Sequence, residues 1–307
     1  MPSSNSSRVS RFLELRALAT LERLRFTTRQ RIDGSYSGRH QSRQRGGSGE
    51  FVDYREYTPG DDLRRLDWKV MARTGRTYLR LYQEETNLTC TILLDASGSM
   101  RFGGDTARIE GPGSKLEYAQ YFATALTHLV TTGQDQIGLA IAADRLHQYF
   151  PPANTPNHVA LVHEAIERLK TWPTTHLGPS LRELFERLSR RGVLLILSDF
   201  LCDDLEDVFA AVRLFRARHW EVVTLHLVHP REERLLTGTA YRFEGLEEEG
   251  IVDCSPAEIS QAYEERFEAH CVAVRSLALA TGCDYRRVST ATHYLQTLGG
   301  FLVDRVG

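Results

Sequence analysis

The chain has 307 residues, of which 41% are hydrophobic and 25% charged, a balance that excludes wholesale disorder and allows roughly two domains' worth of core. Its net charge of −2 gives no global pull toward nucleic acid or membrane, yet it is a cancellation: the first 49 residues hold ten arginines against three acids, +7, which leaves −9 for the rest. Five cysteines with no C-x-x-C pair argue against a disulfide scaffold or a zinc site. No signal-peptide core opens the chain and no stretch approaches the ~20 apolar residues of a membrane span, so a cytoplasmic protein with free thiols is expected.

Ser10 to Thr28 reads as a helix, with leucines spaced between arginines. Gly34 to Glu50 collects Gly, Ser, Arg and Gln and reads as a basic loop unable to form a core. Two short β-like runs, Phe51 to Tyr57 and Thr77 to Gln83, flank the turn Thr58-Pro59-Gly60-Asp61-Asp62 and the run Leu66-Asp67-Trp68-Lys69-Val70. From Asn87 onward, buried strands alternate with amphipathic helices. Strands are expected at Cys90 to Leu94, Gln136 to Ala142, Val193 to Leu197, Val222 to Val228 and Asp284 to Val288. Leu146 to Phe150 is expected as an edge strand stopped by Pro151 and Pro152. Helices are expected at Leu116 to Val130, Val159 to Leu169, Pro179 to Leu188, Leu205 to Ala217, Ile259 to Thr281 and Ala291 to Val303. A hairpin around a Glu-rich turn is expected at Ala240 to Cys254. This alternation implies an α/β fold: a mainly parallel sheet with helices on both faces, preceded by a small β-containing module. The expected boundaries are 1–33, 34–85 and 86–307.

In such sheets ligands bind beyond the carboxyl ends of strands, where the strand order reverses. Asp95 follows Thr91-Ile92-Leu93-Leu94 at such an end, and Ser97 and Ser99 follow at two-residue steps around Gly98. One carboxylate and two hydroxyls on a short loop make a hard oxygen cluster of the kind Mg²⁺ takes. Asp199 ends the next buried strand, and Thr174 or Thr175 brings a further hydroxyl. Alone, Asp-x-Ser-x-Ser is also an ordinary capped strand-to-helix turn; its position and Asp199 favour the metal.

The arrangement resembles the von Willebrand factor A-type domain and its metal-ion-dependent adhesion site. The resemblance implies Asp95, Ser97, Ser99, Thr175 and Asp199 around Mg²⁺ or Mn²⁺, with the aspartates acting largely through water and a sixth position open to a partner's carboxylate. The threonine loop, Trp172-Pro173-Thr174-Thr175-His176, lacks the glycines usual before that Thr, so either threonine fits. The front run from Ser37 through Tyr54-Arg55-Glu56-Tyr57-Thr58-Pro59-Gly60-Asp61-Asp62 to Leu66-Asp67-Trp68 is similar to a bacterial family called domain of unknown function fifty-eight. In that family the segment is joined to an A-type domain and the genes often neighbour those of MoxR-type AAA+ ATPases; with the adhesion-site resemblance, the expectation is a metal-dependent, non-enzymatic interaction protein or adapter working with such an ATPase. From the residues alone, Asp61 to Asp67 reads as an ion-paired turn, or as a docking surface with Trp68 as its anchor.

Two rival functions have weaker support. A haloacid-dehalogenase-type phosphoester hydrolase needs a second Asp where Ser97 stands, and no nucleophile–base pair replaces it. Nucleic-acid binding through the basic front has few interleaved aromatics for base stacking, Phe12, Phe26 and Tyr36, and no recognised module. The glycines at 103, 104, 111 and 113 before Lys115 do not have phosphate-loop spacing and read as a rim. His176 is better suited to a rim than to Mg²⁺. Cys90, Cys271 and Cys283 read as inert core fillers.

Overall fold

The structure is a computed structural model that describes residues 10–13, 21, 26, 50–58, 66–83, 88–103, 113–188, 191–235, 241–247 and 249–306. Outside them lie most of the expected front helix, the basic loop, the Pro59 to Arg65 part of the signature and the centre of the glycine-rich rim. Contacts divide the chain into two compact units, Gln30–Asn87 on the one hand, and Met1–Arg29 with Leu88–Gly307 on the other.

In the smaller unit, β1 (Glu50–Glu56) pairs antiparallel with β2 (Tyr78–Gln83). Between them Trp68–Thr74 forms a helix, α1, in a stretch to which the sequence reading assigns no element. Asp67 explains the start of this helix. Its Oδ1 accepts from the Lys69 and Val70 amides at 2.9 and 3.2 Å, and its Oδ2 accepts from the Tyr54 hydroxyl at 2.9 Å. Asp67 is therefore a buried helix cap tied to β1. Asp67→Ala is expected to destabilise this unit by about 1–2 kcal/mol. Hydrogen exchange of the α1 amides in folded protein measures it, and unchanged exchange would deny Asp67 its capping role.

The larger unit is built on a six-stranded sheet in the order β10-β7-β6-β3-β4-β5. Its strands are β3 (Thr89–Asp95), β4 (Gln136–Ala142), β5 (Leu146–Ala153), β6 (Val193–Ser198), β7 (Glu221–Val228) and β10 (Asp284–Ser289). All neighbours are parallel except β4 and β5. Alternate side chains of the central strands go to opposite faces. Cys90, Ile92, Leu94, Leu195 and Leu197 pack on the side of α2 (Lys115–Thr132), α3 (Pro156–Glu167) and α8 (Tyr294–Val306). Leu93, Leu194 and Ile196 pack on the side of α4 (Leu177–Arg187), α5 (Leu205–Ala217) and α7 (Pro256–Ala280). The expected mainly parallel α/β fold with helices on both faces is thus the observed one. Phe12, Leu21 and Phe26 from the arginine-rich front are buried in this unit, Phe12 edge-on to Tyr121 with ring centres 4.9 Å apart.

One strand is longer than its sequence suggests. β5 does not stop at Phe150 but continues through Pro151 and Pro152 to Ala153, which pairs with Ile137. Proline is tolerated there because β5 is an edge, and Gly138 on β4 leaves room for the Pro152 ring, 3.0 Å from where a Cβ would stand.

On α3, burial and then the nearby His128 lower the His163 pKa to about 4 from the usual 6.5. The unfolded chain therefore binds the extra proton first, and stability falls as pH drops from 6.5 toward 4 and levels off below. His163→Leu is expected to remove about 2 kcal/mol of the stability lost between pH 7 and pH 4.5, read from urea midpoints at both pH values. An unchanged pH dependence would show that His163 is not held neutral.

Candidate metal centre

The sheet's strand order reverses at β3: both its neighbours follow it in the chain, β4 and β5 extending the sheet to one side and β6, β7 and β10 to the other. The crevice beyond the carboxyl ends of β3 and β6 is where such a fold binds ligands. Asp95 is the last residue of β3 and Asp199 the first after β6; both are buried.

Backbone and hydroxyl groups hold these carboxylates in place. Asp95 Oδ1 accepts from the Ser97 amide at 2.9 Å, and Oδ2 accepts from the Ser198 hydroxyl at 2.5 Å. The Ser198 oxygen also accepts from the Phe200 amide at 2.8 Å, so one hydroxyl bridges the ends of β3 and β6. Phe200 sits at φ +54°, an uncommon conformation for a bulky residue, and its ring is buried against Phe209 and His226. The turn lets Asp199 Oδ1 accept from the Leu201 amide at 3.1 Å. The Ser97 and Ser99 hydroxyl oxygens lie 3.1 Å apart, both buried, and Ser99 also hydrogen-bonds the Asp199 carboxylate.

The threonine loop reaches the same place. Trp172 pairs with Ser97, and its amide donates to the Ala96 carbonyl at 2.8 Å. Thr175 Oγ1 is buried with no hydrogen-bond partner among the described residues, while the His176 residue beside it is exposed. Thr175 shares this unpartnered state with other buried hydroxyls, Thr91, Thr124, Thr127 and Thr290 among them, and is the one carried on the loop that Trp172 ties to Ala96. The donor set, two carboxylates and three hydroxyls on three loops, fits Mg²⁺ or Mn²⁺.

Lys115 is the residue that sequence reasoning passed over. At the N-terminus of α2 and fully buried, its ammonium donates to Asp199 Oδ2 at 2.6 Å and to Glu232 Oε1. Glu232 comes from the single turn Pro230–Glu233, and its Oε2 accepts from the His229 amide at 2.8 Å. Burial works against the Asp199 charge, but Lys115 and the Ser99 hydroxyl hold its pKa below the usual value. Burial also opposes the Lys115 charge, and its two acids raise its pKa. Among the described residues no cation pairs with Asp95; burial and then the Asp199 charge push its pKa up to about 7. A sequence signal for Lys115 existed, since only three basic residues of 38 are lysines.

A second unforeseen group arrives from the hairpin formed by β8 (Tyr241–Glu244) and β9 (Ile251–Cys254). Glu247, in its turn, accepts from the Ser99 amide through Oε1 at 2.8 Å. The Glu247 pKa is raised by burial, against hydrogen bonds from Ser99. No group of three His, Cys, Asp or Glu suited to a metal occurs among the described residues, so a cation here would rest on hydroxyls as well.

The sequence profile of a family described as "Protein of unknown function DUF58" matches residues 53–273. An uncharacterised protein of Mycobacterium tuberculosis is 31% identical over 223 residues, 71% of this chain and 67% of its own. Among solved structures, the conserved hypothetical protein BatB from Bacteroides thetaiotaomicron is similar over 72% of this chain and 99% of its own, at 15% identity and a TM-score of 0.46. The VWA domain of SpRpn10 is similar over 70% and 95%, at 10% identity and a TM-score of 0.39.

Proposed function

The chain belongs to the family of unknown function DUF58, and from that premise we propose that it is a non-enzymatic interaction protein that docks partners through a divalent cation at the Asp95 crevice. The reading is carried by the buried oxygens of Asp95, Ser97, Ser99 and Asp199 gathered at the ends of β3 and β6, with the threonine loop tied to the same corner through Trp172 and Ala96. A bound Mg²⁺ or Mn²⁺ would supply one coordination position to a carboxylate oxygen of the partner. The chain's own residues orient that position: Ser198 and the Ser97 amide fix Asp95, and Lys115 with the Leu201 amide fixes Asp199.

The proposed partner is a MoxR-type AAA+ ATPase, the association implied by the family resemblance, with the chain as its metal-dependent adapter. No helix among the described residues is long and apolar enough to cross a membrane. A cytoplasmic location is part of the proposal.

The test is recovery of such an ATPase on immobilised protein, wild type and Ser97→Ala/Ser99→Ala, each with and without EDTA. Recovery only from metal-loaded wild type supports the reading, and equal recovery in all four arms overturns it. Robust Mg²⁺-dependent phosphoester hydrolysis that is lost in Asp95→Asn would replace it with an enzyme.

A further inference from the structure

The proposed site has a built-in occupant. The β8–β9 turn lies directly on the Asp95–Ser99 loop: a Cβ on Gly98 would stand 2.1 Å from the Leu246 carbonyl oxygen and 2.9 Å from Glu247 Cγ. Residue 98 must therefore be glycine for the turn to seat. From this seat the Glu247 carboxylate takes the Ser99 amide at 2.8 Å, a bond across 148 residues of chain.

The turn itself is shaped to present Glu247. Glu249 Oε2 accepts from the Glu247 amide at 2.7 Å, the Gly245 amide donates to the Gly250 carbonyl at 2.8 Å, and Gly250 sits at φ +90°. Ile251 and Val252 are 61% and 59% exposed, and the Arg242–Asp253 ion pair is on the surface. An element with few buried apolar contacts opens at low cost.

We infer that Glu247 is a displaceable internal ligand: the hairpin holds an acidic side chain at the Ser99 corner of the site, and a partner's acidic turn must replace it. The inference rests on the proposed docking function for its meaning, but its geometry does not depend on a metal. It names the partner chemistry, a carboxylate carried on a tight turn whose preceding carbonyl can pass over Gly98. It also gives the site a closed form, since a partner's carboxylate and Glu247 compete for one corner.

Two measurements test it on the full chain. The first is hydrogen exchange of residues 241–254 in metal-free wild type, Glu247→Ala and Gly98→Ala. Glu247→Ala removes the carboxylate, and Gly98→Ala blocks the seat while keeping it. Both are expected to speed exchange of the hairpin amides by about tenfold or more, the worth of one hydrogen bond to a charged group, with the β3 and β6 amides unchanged. Equal hairpin exchange in wild type and Glu247→Ala overturns the inference.

The second is water-proton relaxation with Mn²⁺ as the probe. Glu247→Ala is expected to give more relaxation per bound ion than wild type, because water enters the vacated corner. Equal relaxation from equally loaded proteins counts against Glu247 as occupant. Absence of Mn²⁺ binding to both proteins overturns the docking function instead, and the hairpin latch is then decided by exchange alone.

Discussion

Replacing Lys115 with Met is expected to cost about 3–5 kcal/mol of stability, the largest effect of any single substitution proposed for this protein. The ammonium is fully buried between Asp199 and Glu232, which are themselves buried. A buried ion pair adds little over a well-packed apolar replacement, but removing one partner leaves charge without compensation, and here two carboxylates would be stranded. Methionine keeps the stem's volume, so the loss reports charge rather than a cavity. Adding Glu232→Gln to Lys115→Met is expected to recover part of the loss by removing one stranded charge. Urea unfolding of the three proteins decides the matter. A loss below about 1 kcal/mol would mean that the pair behaves as an exposed one.

Divalent-cation binding is expected to vanish in Ser97→Ala/Ser99→Ala, a loss beyond the ~10–100-fold that outer-shell changes cause. Thr175→Val separates binding from folding more sharply. Its hydroxyl is buried and unpartnered, so an isosteric methyl is expected to raise the stability of metal-free protein by about 1 kcal/mol. The same change is expected to weaken Mn²⁺ binding by tenfold or more, read by titration calorimetry beside thermal unfolding. Gains in both, or losses in both, would remove Thr175 from the ligand set.

The fold and half of the site were legible in the sequence because both are local. Thr91 to Leu94 and Val193 to Leu197 announce buried strands by composition, and Asp95 and Asp199 stand where those strands end. What joins the site across the chain carried no such signal. Lys115 meets Asp199 across 84 residues and Glu232 across 117, and Glu247 meets Ser99 across 148. Periodicity reports which face of an element is buried, not which distant loop comes to lie on it. The helix Trp68–Thr74 was missed for a different reason. Seven residues with no buried side chain give no amphipathic period, and its origin lies in one capping carboxylate, Asp67.

The two prolines of β5 have a consequence for self-association. An open sheet invites another chain to pair along its outer strands, and an unprotected edge is a route to aggregates. On β5, Pro151 and Pro152 remove two consecutive amide donors, one on each side of the strand, so an incoming strand would meet one missing donor in its hydrogen-bond ladder. The opposite outer strand, β10, carries Asp284, Arg286 and Arg287 instead, charges that resist being covered. Both outer strands of the core sheet thus carry features that discourage the addition of another strand.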